Sequence, residues 1–312
     1  GLENFIKSIF LLKFFLLYLV LDTLLKNNKI NLKNFFKVCL ILTFFVSIDV
    51  IIQFIFGKNI LGFVPHEGRI AGIFGAEAIA GAFIQKFFIF SLLGIFLIEH
   101  HKKKQFKLFE LLFFIIIIFA SFVASNRMSF LMLLSLVLVL LIFYKVFRKN
   151  LIIALIMLIP LFSLLYKSET SLNLKFQDYK VKTEILIENS IETLSNEDYN
   201  LKKRTFSTNH GKIFITSIRS FSENKIIGGG LKSFRFQCFK LEKNESTLCS
   251  THPHNYHLEI LHDTGIIGFI LLILFAIQIL VSKYKEIRVK NLMYNDKILI
   301  SLLTLNFLIE IF

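Results

Sequence analysis

The stretch STHPHNYHLEILHDTGIIGFILLILF, residues 250–275, places His252, His254, His257 and His262 just ahead of an apolar run. Histidine exchanges its proton near neutral pH, so such a cluster suits general-base chemistry. Pro253 can occupy the first position of a helix, where its missing N–H costs nothing. A helix from there sets His254, His257, Leu258 and Leu261 on one side. Cys238 and Cys249 lie upstream, and with the histidines they could be read as a zinc set. An oxidising compartment favours a Cys238–Cys249 disulfide instead, closing a short loop beside the histidines; free thiols are the third option.

Two arginines are the other candidates. Arg127 stands in FVASNRMSFLML, between two apolar runs with almost no loop. It reads either as an anchor that snorkels to the interface or as a phosphate ligand, because guanidinium presents a fork of donors. Arg69 stands in PHEGRIAGIFGAEAIAGAF, where Gly68, Ala71, Gly72, Gly75 and Ala76 permit close backbone packing or approach to a ligand. Its alternative is a solvated side chain on a tight loop. Asp49 lies inside an apolar run, as an intramembrane functional carboxylate or as a wetted group near the end of its span. Cys39, also in an apolar run, reads as packing.

The elements that must position these residues are membrane helices. Of the 312 residues, 55% are hydrophobic, with 38 Phe and no Trp, and the apolar residues fall in long runs. Clear runs are 36–56, 79–98, 108–124, 128–144, 151–166 and 264–282; weaker ones are 5–25 and 298–312. That predicts about eight spans. The chain begins at Gly and ends inside an apolar run, which reads as a fragment cut at both ends.

The net charge of +14 does not point to nucleic acid, because the cations cluster between the apolar runs. Segments 26–37, 99–107, 145–150 and 283–297 carry 16 Lys and Arg in all, whereas 57–78 and 125–127 carry 3. Positive charge in short loops marks the cytoplasmic side. Arg69, Arg127 and the long loop 167–262 are therefore expected on the outer face. Residues 1–166 then form about six helices, 167–262 an outer loop with the histidine segment, and 263–312 the last spans. Within the loop, TNHGKIFITSIRSFSEN reads as a helix with Ile213, Phe214, Ser217, Ile218 and Phe221 on one side, and KIIGGGLKSF as a Gly turn.

HPHNYHLEILHDTGIIG resembles the signature of the O-antigen ligase and polymerase family: His, then Asn or a similar residue, nine residues, then Gly-x-x-Gly. Here these are His254, Asn255, residues 256–264, Gly265 and Gly268. NKIIGGGLKSF looks like the family's Gly-rich turn, SNRMSF like its arginine segment at a span end, and GRIAGIFG like its earlier outer arginine segment. Asn126 stands where Ser is commoner, and the Cys238/Cys249 pair is not part of the general motif.

The resemblance implies an all-α polytopic membrane protein, GT-C-like, with one large periplasmic helical loop, in the bacterial inner membrane. It implies a glycosyltransferase that takes a glycan from undecaprenyl pyrophosphate, with no nucleotide sugar, metal or other cofactor. The acceptor is the lipid A core in a ligase, or a second lipid-linked glycan in a polymerase. His254 becomes the general base, and Arg69 and Arg127 the ligands of the donor pyrophosphate. Asn255, Tyr256, His257, Glu259, Arg204, His210 and Arg219 become supporting contacts. The contrasting reading is a lipid-glycan transporter without bond chemistry, which would carry ionisable residues at mid-membrane and paired repeats of broken helices.

Overall fold

Long apolar segments must satisfy their own backbone groups in lipid, and the α-helix does this within one segment. The computed structural model describes residues 12–27, 29–66, 69–99, 105–124, 126–167, 209–222, 224–241, 248–289 and 294–311, and among them the longer elements are all α-helices. They are α1 (Leu12–Lys26), α2 (Leu32–Phe56), α3 (Ala80–Glu99), α4 (Gln105–Val123), α5 (Arg127–Phe143), α6 (Lys145–Lys167), α7 (Asn209–Phe221), α8 (Phe234–Gln237), α9 (Tyr256–Val289) and α10 (Tyr294–Ile311). Within the described residues, each of the eight apolar runs falls on a helix. Among the described residues, Leu32–Phe56, Ala80–Leu97, Lys145–Ser163 and Tyr256–Lys285 are long and apolar enough to cross a membrane, while Arg127–Phe143 and Lys297–Leu308 are shorter apolar helices. The chain is thus an all-α, multi-pass membrane protein.

The helices divide between two compact units, one with α2–α6 and α10, the other with α1, α7, α8 and most of α9. In the first unit, α2 is the central element. Its buried residues Phe36, Cys39, Leu40, Thr43, Val46, Ser47, Asp49, Val50 and Gln53 recur every three or four positions and form one stripe. Lipid tails are as apolar as leucine, so contact packing and polar bonds hold such helices together. Gly94 of α3 permits the closest approach, since a Cβ there would lie 2.5 Å from the Phe36 carbonyl oxygen. The Ser91 hydroxyl sits 2.8 Å from that of Thr43 and joins α3 to α2. Phe88, Phe113, Phe114 and Phe147 fill the core with no exposed surface. Arg148 donates from Nε to Leu141 O and from a terminal nitrogen to Ile142 O, each at 2.7 Å, satisfying carbonyls at the end of α5.

In the second unit, α7 buries Ile213, Thr216, Ser217 and Ser220 and exposes Ile218. The helix is where the sequence pattern puts it, but its buried face is rotated away from Ile218. The cause is polar: Thr216 Oγ1 accepts the Leu248 N–H at 3.0 Å, and Ile213 packs with Phe234 and Cys238. This small core is closed by the Cys238–Cys249 disulfide, whose Cα atoms are 5.7 Å apart.

Candidate functional site

Asn31 and Gly57 cap the two ends of α2, and Gly57 turns the chain into the loop that carries Arg69. Buried polar side chains of α2 tie this loop down. Asp49, with no exposed surface, accepts the Ile60 N–H at 2.9 Å and an Asn59 side-chain N–H at 3.3 Å. Gln53 donates to Phe63 O at 3.0 Å and accepts the Gly72 N–H at 2.7 Å. A Cβ on Gly72, which has φ +56°, would lie 2.9 Å from Asp49 Oδ2. Asp49 is thus a buried, hydrogen-bonded post to which the loop is tied. Arg69 pairs its backbone with His66 and exposes its side chain.

Asn126 caps α5 by accepting the Ser129 N–H at 3.3 Å, which sets the half-buried Arg127 at the first helical position. A Cβ on Gly81 would lie 2.9 Å from Asn126 Cβ, so the start of α3 is pressed against the start of α5. The Arg69 loop, which leads into α3, and Arg127 thus share one end of the first unit.

The histidine segment belongs to the second unit. Helix α9 begins at Tyr256, not at Pro253. Asn255 displaces proline as the start signal: its Oδ1 accepts the Leu258 N–H at 2.9 Å, and its carbonyl accepts the Glu259 N–H at 3.0 Å. His254 therefore lies outside the helix and does not share a helical face with His257, Leu258 and Leu261. It takes φ +54°, an uncommon conformation for a residue with a Cβ. Its ring is exposed, with Nε2 3.2 Å from Ser250 Oγ and its centroid 4.1 Å from that of His252. Pro253 is buried beside it. His257 is half-buried and meets Phe269 edge-on. His262, 1% exposed, faces inward, with Nδ1 3.1 Å from Ser233 Oγ.

Beyond these residues α9 is broken at Gly265, with φ +67° and ψ −171°. In an unbroken helix the Ile266 and Ile267 amides would bond the His262 and Asp263 carbonyls. Here all four groups turn to the Gly-rich segment instead. Ile266 N–H donates to Lys225 O at 2.9 Å and Ile267 N–H to Ile226 O at 3.3 Å; Gly229 N–H donates to His262 O at 2.9 Å and Gly230 N–H to Asp263 O at 3.0 Å. The approach is so close that a Cβ on Gly228 would lie 2.5 Å from the Gly265 nitrogen. A Cβ on Gly268 would run into Thr264, so the second glycine of the pair accommodates the displaced turn. The buried Asp263 carboxylate completes the joint by accepting the Lys232 and Ser233 amides at 2.8 and 3.3 Å.

Sequence reasoning missed Ser250, Ser233 and Asp263. Their signal was faint: a Gly-x-x-Gly pair inside an apolar helix and a second glycine cluster in the preceding loop. Of the remaining candidates, Tyr256 is exposed, Glu259 is half-buried in the first turn of α9, and Arg219 is exposed in the last turn of α7. Arg204 and the side chain of His210 lie outside the described residues, as do residues 168–208 between α6 and α7.

A multi-pass helical membrane protein with a broken helix entered through His-Asn and Gly-x-x-Gly is a specific combination. The family model described as O-antigen ligase matches residues 112–273, more than half of the chain, and the chain belongs to that family. No curated protein and no solved structure matches it. The family makes it a membrane enzyme of O-antigen assembly, of ligase or polymerase type, acting on lipid-linked glycans.

Proposed function

We propose that the protein is an O-antigen ligase that transfers a glycan from undecaprenyl pyrophosphate to the lipid A core at the periplasmic face of the inner membrane. The observation that carries the reading is His254. It is an exposed imidazole in a left-handed turn, one residue before the cap of a helix that continues into a membrane-length apolar run. Non-glycine residues hold such conformations where their surroundings impose them, and they cluster at functional sites. A lipid-anchored substrate needs its reactive groups at the bilayer edge.

In this mechanism an acceptor hydroxyl oxygen attacks the anomeric carbon while the bond from that carbon to the pyrophosphate oxygen breaks. Configuration inverts, and the hydroxyl proton passes to His254. Positioned bases of this kind contribute about 10²–10⁴ in rate. Arg69 and Arg127 hold the pyrophosphate and neutralise charge building on it as it leaves. No metal or other cofactor takes part.

The test uses the full-length protein in membranes with an undecaprenyl-pyrophosphate glycan, with and without lipid A core, beside the His254→Ala variant. The expected product is a single increase in lipid A core mass, absent in the variant. A ladder formed without lipid A core identifies a polymerase instead. Substrate binding without any product refutes glycan transfer and indicates transport.

A further inference from the structure

The segment between the disulfide and α9 is short and tied at both ends. At one end, Cys249 is bonded to Cys238, a residue 1% exposed, and the Leu248 N–H is held by Thr216 Oγ1. At the other end, Pro253 is buried and Asn255 caps α9. Between them the chain arches over residues 250–254. Exposed side chains such as His254 ordinarily sample several rotamers, and neighbours must hold one of them for catalysis. The Ser250 hydroxyl, on the residue next to Cys249, lies 3.2 Å from His254 Nε2 and closes the arch.

We infer that Ser250 is a positioning residue for His254 and that the Cys238–Cys249 disulfide keeps Ser250 in place. The inference rests on the reading of His254 as the base. A neutral imidazole carries its proton on one nitrogen and its lone pair on the other. A hydrogen bond between Nε2 and Ser250 Oγ selects one rotamer and one tautomer of the ring, which is what a positioned base requires. The imidazolium formed on proton transfer keeps its charge-assisted bond to Oγ, so Ser250 also raises the basicity of the ring. Part of this arrangement is redox-sensitive. A dithiol reductant converts the disulfide to two thiols, is itself oxidised to a disulfide, and removes the covalent tie on the N-terminal side of Ser250, where the Leu248–Thr216 hydrogen bond remains. Activity would then depend on an oxidising compartment, for a reason located at the base itself.

The experiment measures transfer by the full chain in membranes over a range of pH for the native protein, Ser250→Ala, Ser250→Thr, the Cys238→Ser/Cys249→Ser double variant and His254→Ala. A lost hydrogen bond to a charged group corresponds to a fall of about 10- to 100-fold, expected in kcat with KM little changed for Ser250→Ala. The acidic limb of its rate profile is expected to move to lower pH, because the imidazolium has lost a stabilising acceptor, while the neighbouring titratable ring of His252, 4.1 Å away, is the same in both proteins. Ser250→Thr keeps the hydroxyl and restores both. Thiol reductant is expected to slow the native protein and to leave the double variant unchanged. A disulfide that merely stabilised the fold would lower the amount of intact protein without moving the pH limb, and that outcome overturns the inference. If His254→Ala is inactive while Ser250→Ala keeps native kcat and pH limb, the positioning role fails and the functional reading stands. An active His254→Ala variant removes the functional reading itself.

Discussion

Replacing Gly265 by Ala tests whether the joint between α9 and the Gly-rich segment exists as described. At φ +67° and ψ −171° the backbone is in a region essentially reserved for glycine, and a side chain there costs on the order of 1–3 kcal/mol. The new Cβ would also strike the Ile226 carbonyl and lie 2.5 Å from the Gly228 nitrogen. The loop must withdraw, which gives up its four hydrogen bonds to residues 262–267. A helix that straightens recovers two of them internally, so about two are lost net, at roughly 0.5–1.5 kcal/mol each. The docked state should be destabilised by about 2–6 kcal/mol, which corresponds to an open state populated about 30- to 20,000-fold more.

Hydrogen–deuterium exchange on the full chain in lipid nanodiscs reads this directly, and the expected pattern is asymmetric. The Gly229 and Gly230 amides lose protection, while those of Ile266 and Ile267 keep it by bonding His262 and Asp263 in the straightened helix. Unchanged protection at Gly229 and Gly230 would refute the joint. Loss at all four would mean local unfolding and would refute the proposed exchange of partners.

Two further outcomes follow from the buried polar anchors. Asp49→Ala leaves the Ile60 amide without its acceptor and should cost about 1–3 kcal/mol, read as faster proteolytic nicking in 58–66; unaltered nicking would sink the tethering role. Asn255→Ala should remove about 1 kcal/mol of helix-start stability and expose the Leu258 amide to exchange, whereas Asn255→Asp and Asn255→Ser retain protection; equal behaviour of all three would show that the cap is unimportant.

The family was legible because its signature is local. His254, Asn255, Gly265 and Gly268 stand at fixed spacing, and spacing survives in a one-dimensional chain. The start of α9 was harder to read, because Pro253 and Asn255 are both good start signals. Asn255 is the one that acts, because its Oδ1 accepts the Leu258 N–H at 2.9 Å, while Pro253 is buried two residues before it. The same competition decides that His254 faces out of a turn and not along a helix.

The helices and their polar interruptions can be read from the chain alone, because a long apolar segment has few ways to satisfy its backbone in lipid. So can the residues of the motif. The use of the glycines emerges only in the folded arrangement. Gly228 and Gly265 matter because two backbones meet where neither can carry a Cβ, and Asp263 matters because the Lys232 and Ser233 amides point at it. Such contacts join residues far apart in the chain through hydrogen-bond geometry, which no periodicity or composition encodes.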